Sequence, residues 1–254
     1  MNWVHEFYTK QNQWSGVYDG DPTKDHRQKA RLIEELAGLG PKRILELGAG
    51  GGQLAAATAD LGHTVVAVEL VASACTNARK LAAADPARKM EVIEGDFFAA
   101  ELEGTFDVIG YWDGFGIGAD DDQRRLLKRV AGWLAPAGSV LFEIGTPWYA
   151  ASVDGRGWEV GAAERRYSFD ADGCRWEDTW WPQGQPEQAV RQSTRCYSPA
   201  DLRLLLAGTG LHLHAVKPGG TVDWEQRKWL PAVPLGKAMS YVAHMKKVQL
   251  TKGE

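Results

Sequence analysis

The chain has few cysteines and no long uncharged apolar run. Its 254 residues include three cysteines, an odd number at wide spacings, which argues against a disulfide framework and favours a reducing compartment. No stretch approaches the ~18 apolar residues of a membrane span, and residues 1–10 lack the apolar core of a signal peptide. The sequence therefore predicts a cytoplasmic protein without a membrane anchor.

The chain also lacks a basic excess and the short motifs of several enzyme classes. Its formal net charge of −4 argues against nucleic acid as a partner, because nucleic-acid binders carry a basic footprint. No H-E-x-x-H, Cys/His cluster or calcium loop is present, so we expect no metal. No G-x-S-x-G nucleophile elbow occurs either. One residue type is abundant: eleven tryptophans, of which most follow Pro147.

Apolar strands alternate with helical segments through the first two thirds of the chain. A helix is predicted over residues 24–39, ended by Gly40 and Pro41. The predicted strands are 43–47, 64–70, 90–93, 106–111, 139–144 and 211–216. Helices are predicted between them at 53–61, 73–84 and 120–134. This alternation predicts an α/β fold with a parallel sheet, and the near-continuous apolar strands predict helices on both faces.

The two remaining regions break this rhythm. Residues 2–21 are aromatic and polar without a clear period, and residues 148–197 carry turn signals between aromatic runs, as antiparallel hairpins do. We expect one domain over residues 1–254, with an aromatic lid at 1–23 and hairpins inserted over the substrate site at 148–197. Ser198-Pro199 predicts a helix start, and residues 236–248 are interpreted as a final helix.

A glycine-rich turn follows the first strand and precedes a helix. It reads Glu46-Leu47-Gly48-Ala49-Gly50-Gly51-Gly52, and glycine at such a turn lets backbone approach a ligand closely. Gln53 stands where a dinucleotide-binding G-x-G-x-x-G has its third glycine. Glu69 ends the next strand, where a carboxylate accepts hydrogen bonds from ribose hydroxyls. An acid beside the turn suits a ligand that carries an amine.

Together with Gly95-Asp96-Phe97-Phe98 after the third strand, this pattern resembles the class I S-adenosylmethionine-dependent methyltransferases of small-molecule type. The resemblance covers about residues 24–216. It implies a Rossmann-like, mostly parallel seven-stranded sheet with helices on both faces and an antiparallel β insertion after the fifth strand. It also implies S-adenosylmethionine (SAM) as cofactor and a small-molecule acceptor, which the tryptophans suggest is aromatic or cationic.

The resemblance implies a role for each residue of the pattern. Glu46 and the turn would surround the methionine part, Glu69 would hold the ribose, and Asp96 and Phe97 would contact the adenine. Residues 111–113 would flank the sulfonium. The predicted cofactor-binding residues are Glu46, Gly48, Ala49, Gly50, Gly52, Glu69, Leu70, Asp96, Phe97, Tyr111, Trp112 and Asp113. Singly, each has a structural reading too: tight turn, solvated strand end, turn residue or core aromatic.

The catalytic residues are less constrained by the sequence. Tyr18, in the aromatic N-terminal stretch, would cover the cofactor, and His26 and Tyr149 are candidate bases. His5 and Glu143 are further candidates, since histidine accepts a proton near neutral pH and Glu143 ends the fifth strand. The run 111–118 lacks the Asn/Asp-Pro-Pro-Tyr/Phe motif of adenine or glutamine amino-methyltransferases.

Three functions remain open at this point. The first is methyl transfer to an O, N or C atom of a small molecule, in natural-product or secondary metabolism. The second is a SAM-binding protein without methyl transfer: a regulatory module, isomerase or cyclase. The third is an NAD-dependent oxidoreductase, which the absent G-x-G-x-x-G disfavours. Both a monomer and a homodimer are compatible with the sequence.

Overall fold

The structure is a computed structural model that describes residues 2–248. Within that range the helices are α1 (Asn2–Ser15), α2 (Lys24–Ala37), α3 (Gln53–Ala59), α4 (Ala72–Ala83), α5 (Asp120–Trp133), α6 (Pro147–Ser152) and α7 (Pro199–Leu206). The strands are β1 (Arg43–Leu47), β2 (Thr64–Glu69), β3 (Met90–Glu94), β4 (Phe106–Tyr111), β5 (Leu134–Gly145), β6 (Gly157–Val160), β7 (Ala163–Asp170), β8 (Arg175–Pro182), β9 (Val190–Arg195), β10 (Leu211–Pro218), β11 (Thr221–Asp223), β12 (Lys228–Leu230) and β13 (Ser240–Lys247). None of the helices in this range is both long and apolar enough to cross a membrane. Residue 1 and residues 249–254, which the predicted domain includes, lie outside the described residues.

Seven strands form the main sheet in the order β10-β13-β5-β4-β1-β2-β3. β13 is antiparallel to both of its neighbours, and the other six strands run parallel to one another. The chain enters the sheet with β1, beside the central strand β4, and extends first toward β3 and then toward β10. The predicted α/β fold with a mostly parallel seven-stranded sheet is confirmed.

Helices cover both faces of this sheet, because the inner strands are apolar on both sides. Leu45 and Leu47 of β1 pack in one cluster with Leu126 of α5. Ile44, the residue before Leu45, packs in a second cluster with Ile33 of α2. Successive side chains of a strand point to opposite faces, so this short strand joins two apolar cores.

The insertion, defined here as strands β6 to β9, is a separate four-stranded antiparallel sheet. It lies between β5 and α7 in the chain, as predicted. Its apolar side chains meet the N-terminal helix: Phe7 of α1 packs in one buried cluster with Trp180 of β8 and Val190 of β9. α1 and the insertion therefore form one unit beside the main sheet.

Residues 2–21, for which the pattern indicates no regular element, contain helix α1. Trp3, Phe7 and Trp14 pack toward the insertion, whereas Val4 and Gln11 line a cavity. These residues lie on one side of the helix, but the polar Gln11 stands among them and weakens the apolar stripe by which an amphipathic helix is recognised. This explains the missing period.

The predicted helix at residues 236–248 is wrong, since Ser240–Lys247 form strand β13. This strand lies between β5 and β10, and its first six residues are all buried. A strand covered on both faces shows no apolar–polar alternation, and a short apolar run of this kind is not distinguishable from a buried helix by its period.

Candidate active site

The glycine turn, residues 48–52, joins the carboxyl end of β1 to α3. Gly50 has the left-handed φ of 54°, and a Cβ there would lie 2.9 Å from the ring of Tyr18. A Cβ at Gly51 would lie 1.8 Å from the carbonyl oxygen of Tyr18. Glycine is required at both positions because the N-terminal segment crosses directly over the turn.

This crossing segment, the strap (residues 16–23), is held to the turn by Asn77 of α4. The Asn77 side chain donates to the carbonyl oxygens of Gly51 at 2.8 Å and Gly20 at 3.1 Å, and it accepts from the Gly20 amide at 3.1 Å. The Gln53 side chain donates to the Asp19 carbonyl oxygen at 3.3 Å. No sequence signal pointed to Asn77, whose role depends on a contact between distant segments.

Glu69 lies at the end of β2, with its carboxylate beside the glycine turn. It accepts hydrogen bonds from the backbone amides of Gly50 at 2.7 Å and Val71 at 2.8 Å. Burial raises the pKa of this carboxyl, and the amide hydrogen bonds oppose that rise. Each carboxylate oxygen keeps a further lone pair for a ligand hydroxyl.

Glu46 of β1 is buried under the turn and does not line the cavity. Burial raises its pKa to about 8, and the positive charge of Lys29 opposes that rise. Ala49 and Gly52 also lie away from the cavity wall. The Ala49 amide donates to the Val68 carbonyl oxygen at 3.1 Å. These three predicted residues therefore support the turn on the side that faces away from the cavity.

A cavity of about 510 Å³ opens at the carboxyl ends of the parallel strands. The predicted residues that line it are Gly48, Gly50, Glu69, Leu70, Asp96, Phe97, Tyr111, Trp112 and Asp113. They come from the ends of β1, β2, β3 and β4. An open parallel sheet binds ligands at this edge, so the topology brings together residues that are distant in the sequence.

Phe97 and Tyr111 form an aromatic edge within the cavity. Their rings meet edge to face with centroids 5.3 Å apart, and the Tyr111 hydroxyl donates to the Gly114 carbonyl oxygen at 2.7 Å. The Asp96 carboxylate accepts from the Phe98 amide at 2.8 Å, which fixes the turn after β3. Asp96 and Phe97 are therefore held at the cavity wall by local bonds.

The far wall of the cavity belongs to the insertion. Arg165 and Asp178 form an ion pair there, with Nε and Oδ1 3.2 Å apart, and the Trp180 indole donates to Asp178 at 2.8 Å. The Arg165 guanidinium lies against three rings, those of Trp158, Tyr167 and Trp180. This buried network was not predicted, because the spacing of Arg165 and Asp178 in the chain carries no signal.

Some of the tryptophans after Pro147 line the cavity, and others lie outside it. Trp176 and Trp180 line the cavity. Trp158 packs against Tyr167 and Trp224 behind the wall, and Trp229 is exposed. Trp148 does not line the cavity.

The predicted catalytic residues are also divided. Tyr18 lines the cavity, its hydroxyl donates to the Gln11 side chain at 2.9 Å, and burial raises its pKa. The structure does not bring His26 to the cavity: its ring nitrogen Nδ1 accepts from the Thr23 amide at 3.0 Å in the capping box of α2. Tyr149 is buried beside Trp176 and does not line the cavity. His5 is exposed.

Glu143 lines the cavity but is already engaged. Lys29 Nζ donates to Glu143 Oε2 at 2.6 Å and Ser240 Oγ donates to Oε1 at 2.8 Å. Although burial raises its pKa, Lys29 and Ser240 bring the pKa of Glu143 below its ordinary value. It is therefore an anion fixed in the wall.

Comparisons with known proteins agree with this arrangement. The family described as "Methyltransferase domain" matches residues 44–138. This segment is therefore similar to a methyltransferase domain, and the match covers less than half of the chain. Among curated relatives, the mitochondrial ubiquinone biosynthesis O-methyltransferase of Schizosaccharomyces pombe is 40% identical over 70 residues, covering 27% of this chain and 26% of the relative. The Pseudomonas aeruginosa protein of the same name is 27% identical over 107 residues, covering 42% and 44%. The chain thus spans less than half the length of the curated relatives it matches.

Two solved structures extend the likeness in fold beyond the methyltransferase domain. The CcbJ methyltransferase from Streptomyces caelestis is 22% identical, with a TM-score of 0.74, and the match covers 95% of this chain and 98% of that one. The glycopeptide N-methyltransferase MtfA is 24% identical, with a TM-score of 0.59, covering 88% and 91%. At identities below 25%, the TM-scores show a likeness in fold alone.

The segment that matches the family model supplies only part of the site. The glycine turn, Glu69, Asp96 and residues 111–113 lie within it, whereas Tyr18, Arg165 and Glu143 come from outside residues 44–138. The half of the cavity that faces the insertion is thus built by segments that the family match does not include.

Proposed function

We propose that this protein transfers a methyl group from SAM to a small-molecule acceptor, in natural-product or secondary metabolism. The observation that carries the proposal is one cavity with two differently built ends. The end at the glycine turn has backbone and the Glu69 carboxylate for the cofactor. The other end, walled by the insertion, has aromatic rings and charged groups for a second molecule.

The residues present fit SAM. The glycines at positions 48 and 50 let a ligand approach the backbone of the turn closely. Glu69 has free lone pairs for the two ribose hydroxyls. Asp96 and Phe97 would contact the adenine from the adjacent strand end. Tyr111, Trp112 and Asp113 would lie at the sulfonium end, and Glu46 would act from beneath the turn.

SAM, when bound, supplies an electrophilic methyl group. The chain aligns the two reactants and excludes water. Alignment alone can lower the activation free energy by up to ~7–11 kcal/mol. Tyr18 and the strap cover the turn, and α1 with the insertion covers the acceptor end. The cavity wall also contains a carboxylate that accepts no hydrogen bond from the described part of the protein, and this group is available as a base.

Two other functions make different predictions. A SAM-binding protein without transfer would bind SAM and yield no methylated product; the second end of the cavity favours transfer over this alternative. An NAD-dependent oxidoreductase would bind NAD.

The acceptor atom is not decided by the relatives, whose names include an O-methyltransferase and an N-methyltransferase. Oligomeric state and a cytoplasmic location stay predictions.

Isothermal titration of the protein with SAM and with NAD, followed by mass spectrometry of an acceptor panel, tests the proposal. We expect heat with SAM, none with NAD, and a methyl gain on an acceptor. Binding of NAD instead of SAM would contradict it.

A further inference from the structure

The cavity wall carries five carboxylates, and four of them are engaged by the protein. Glu69 and Asp96 accept from backbone amides. Glu143 is bonded to Lys29 and Ser240, and Asp178 is bonded to Arg165 and Trp180. Among residues 2–248, the carboxylate of Asp113 has neither a hydrogen-bond partner nor an ion-pair partner. Both oxygens of the Asp113 carboxylate are therefore open to a ligand.

The backbone at Asp113 is itself unusual. Its φ of 59° is left-handed, a conformation that costs a non-glycine residue roughly 1 kcal/mol or more. The following turn is held by the Tyr111 hydroxyl on the Gly114 carbonyl oxygen. A strained residue held in place by its neighbours is often a functional one, and here the strain presents a carboxylate to the cavity.

The charges around Asp113 favour a cation. The Asp113 side chain is exposed to the open cavity. The protein packed around the cavity raises its pKa, and the negative charges of Glu143 and Asp178 act in the same direction. Lys29 and Arg165 oppose that rise, but each is already paired with a carboxylate. No histidine or lysine occurs among the described residues that line the cavity. An anionic nucleophile such as a phenolate would therefore meet unfavourable charge in this cavity.

The aromatic side chains of the cavity complete this environment. Trp112 lies beside Asp113 in the sequence, and the insertion adds Tyr167, Trp176 and Trp180 to the wall. The faces of such rings attract cations, most strongly where water is excluded. A free carboxylate within an aromatic cavity is a site for an ammonium group.

We infer that the acceptor is an amine, bound as its ammonium form, and that Asp113 receives its proton. This inference rests on the proposed function and specifies its acceptor. In the balanced step, one N–H bond of the ammonium breaks and its proton goes to the Asp113 carboxylate. The freed lone pair of the nitrogen forms the bond to the methyl carbon, and the C–S bond breaks with its electron pair remaining on sulfur. The product is a methylated ammonium and a neutral thioether.

The test compares two probes of equal size that differ in charge. N-methylbenzylamine is an ammonium at neutral pH, and benzyl methyl ether is its neutral counterpart. Titrations in the presence of S-adenosylhomocysteine use the wild type, Asp113→Asn and, as a control, Asp172→Asn, which removes an exposed carboxylate outside the cavity. Asparagine tolerates the left-handed backbone, so D113N keeps the turn.

We expect the wild type and D172N to bind the ammonium about tenfold more tightly than the ether. D113N loses this preference. In the wild type the preference is present at about pH 8 and falls as the pH is lowered, because the raised pKa of Asp113 brings protonation of its carboxylate into this range. Equal or undetectable binding of the two probes by the wild type, or an unchanged preference in D113N, overturns the inference.

A second measurement separates the inference from the proposed function. Secondary amines and phenols are incubated with SAM, and the methylated atom is identified by mass spectrometry. Methyl gain on nitrogen supports the inference. Methyl gain on phenol oxygen alone overturns the inference and leaves the proposed function intact, whereas failure to bind SAM contradicts the proposed function itself.

Discussion

At the scale of single residues, the surroundings decide the role of a carboxylate more than its position does. Glu69 and Glu94 are register partners at the ends of neighbouring parallel strands. Glu69 is buried and accepts from two backbone amides, whereas Glu94 is exposed and pairs with Arg79. Glu94 is therefore a suitable control for substitutions of the site residue Glu69.

Replacing Glu69 by alanine should weaken SAM binding. The substitution removes a charged acceptor for the ribose and leaves the Gly50 amide without its partner. Hydrogen bonds to charged groups contribute about 1.5–3 kcal/mol, so we expect a loss in affinity of at least about tenfold in isothermal titration. Glu94→Ala should bind within about twofold of the wild type. Equal affinities of the two variants would contradict the role of Glu69.

Glu46 should make folding stability depend on pH. Its pKa is about 8 in the folded protein against an ordinary value of 4.5, so the folded state binds the extra proton between these values. Stability then falls as pH rises from about 5 to about 8, by roughly 2–4 kcal/mol.

Urea unfolding across this pH range measures the effect. The Glu46→Gln variant should lose most of the slope and should be more stable than the wild type at the alkaline end. A wild-type stability that rises with pH in this window would refute the assignment.

At the scale of elements, the strap and the insertion turn a common sheet into an enclosed site. The strap lies over the glycine turn and is bonded there by Asn77. The insertion is bonded internally by Arg165 and Asp178. Neither the strap nor the insertion belongs to the strands of the main sheet, and a single substitution tests each of them.

Asn77→Ala should loosen the strap. The change leaves the Gly51 carbonyl oxygen without its side-chain partner, at a cost of about 1–3 kcal/mol. We expect faster chymotrypsin cleavage after Tyr18 and weaker SAM binding, by roughly fivefold or more. Thr76→Ala, an exposed position on the same helix, is the control. Cleavage at the control's rate would show that Asn77 does not hold the strap.

Arg165→Met should destabilise the protein strongly, because it leaves Asp178 buried without its charge partner. Breaking a buried ion pair costs about 3–5 kcal/mol. Arg191→Met breaks a pair on the same sheet in which Arg191 is largely exposed, and should cost less than about 1 kcal/mol. Urea unfolding compares the two, and similar costs would contradict a structural role for the buried pair.

At the scale of the whole molecule, the sequence allowed prediction of the sheet and of the cofactor end of the cavity. The reason is locality: β1, the glycine turn and α3 follow one another, and Glu69 ends the next strand. In parallel strands such local signals converge at one edge of the sheet. Gly48, Glu69, Asp96 and Trp112 accordingly meet in one cavity.

The acceptor end could not be predicted in the same way. Helix α1 packs against the insertion, β13 is buried without alternation, and the Arg165–Asp178 pair joins strands of the insertion. Each depends on packing between distant segments, which a single sequence does not display. His26 was a reasonable candidate by residue type, but local capping of α2 accounts for its position.

A crystal structure of the protein with S-adenosylhomocysteine bound tests the central claim most directly. We predict the ribose hydroxyls within hydrogen-bond distance of Glu69, the amino-acid part against the glycine turn, and the sulfur facing the part of the cavity that contains Asp113. Density for the ligand elsewhere, or in this cavity without contact to Glu69 or the turn, would contradict the account.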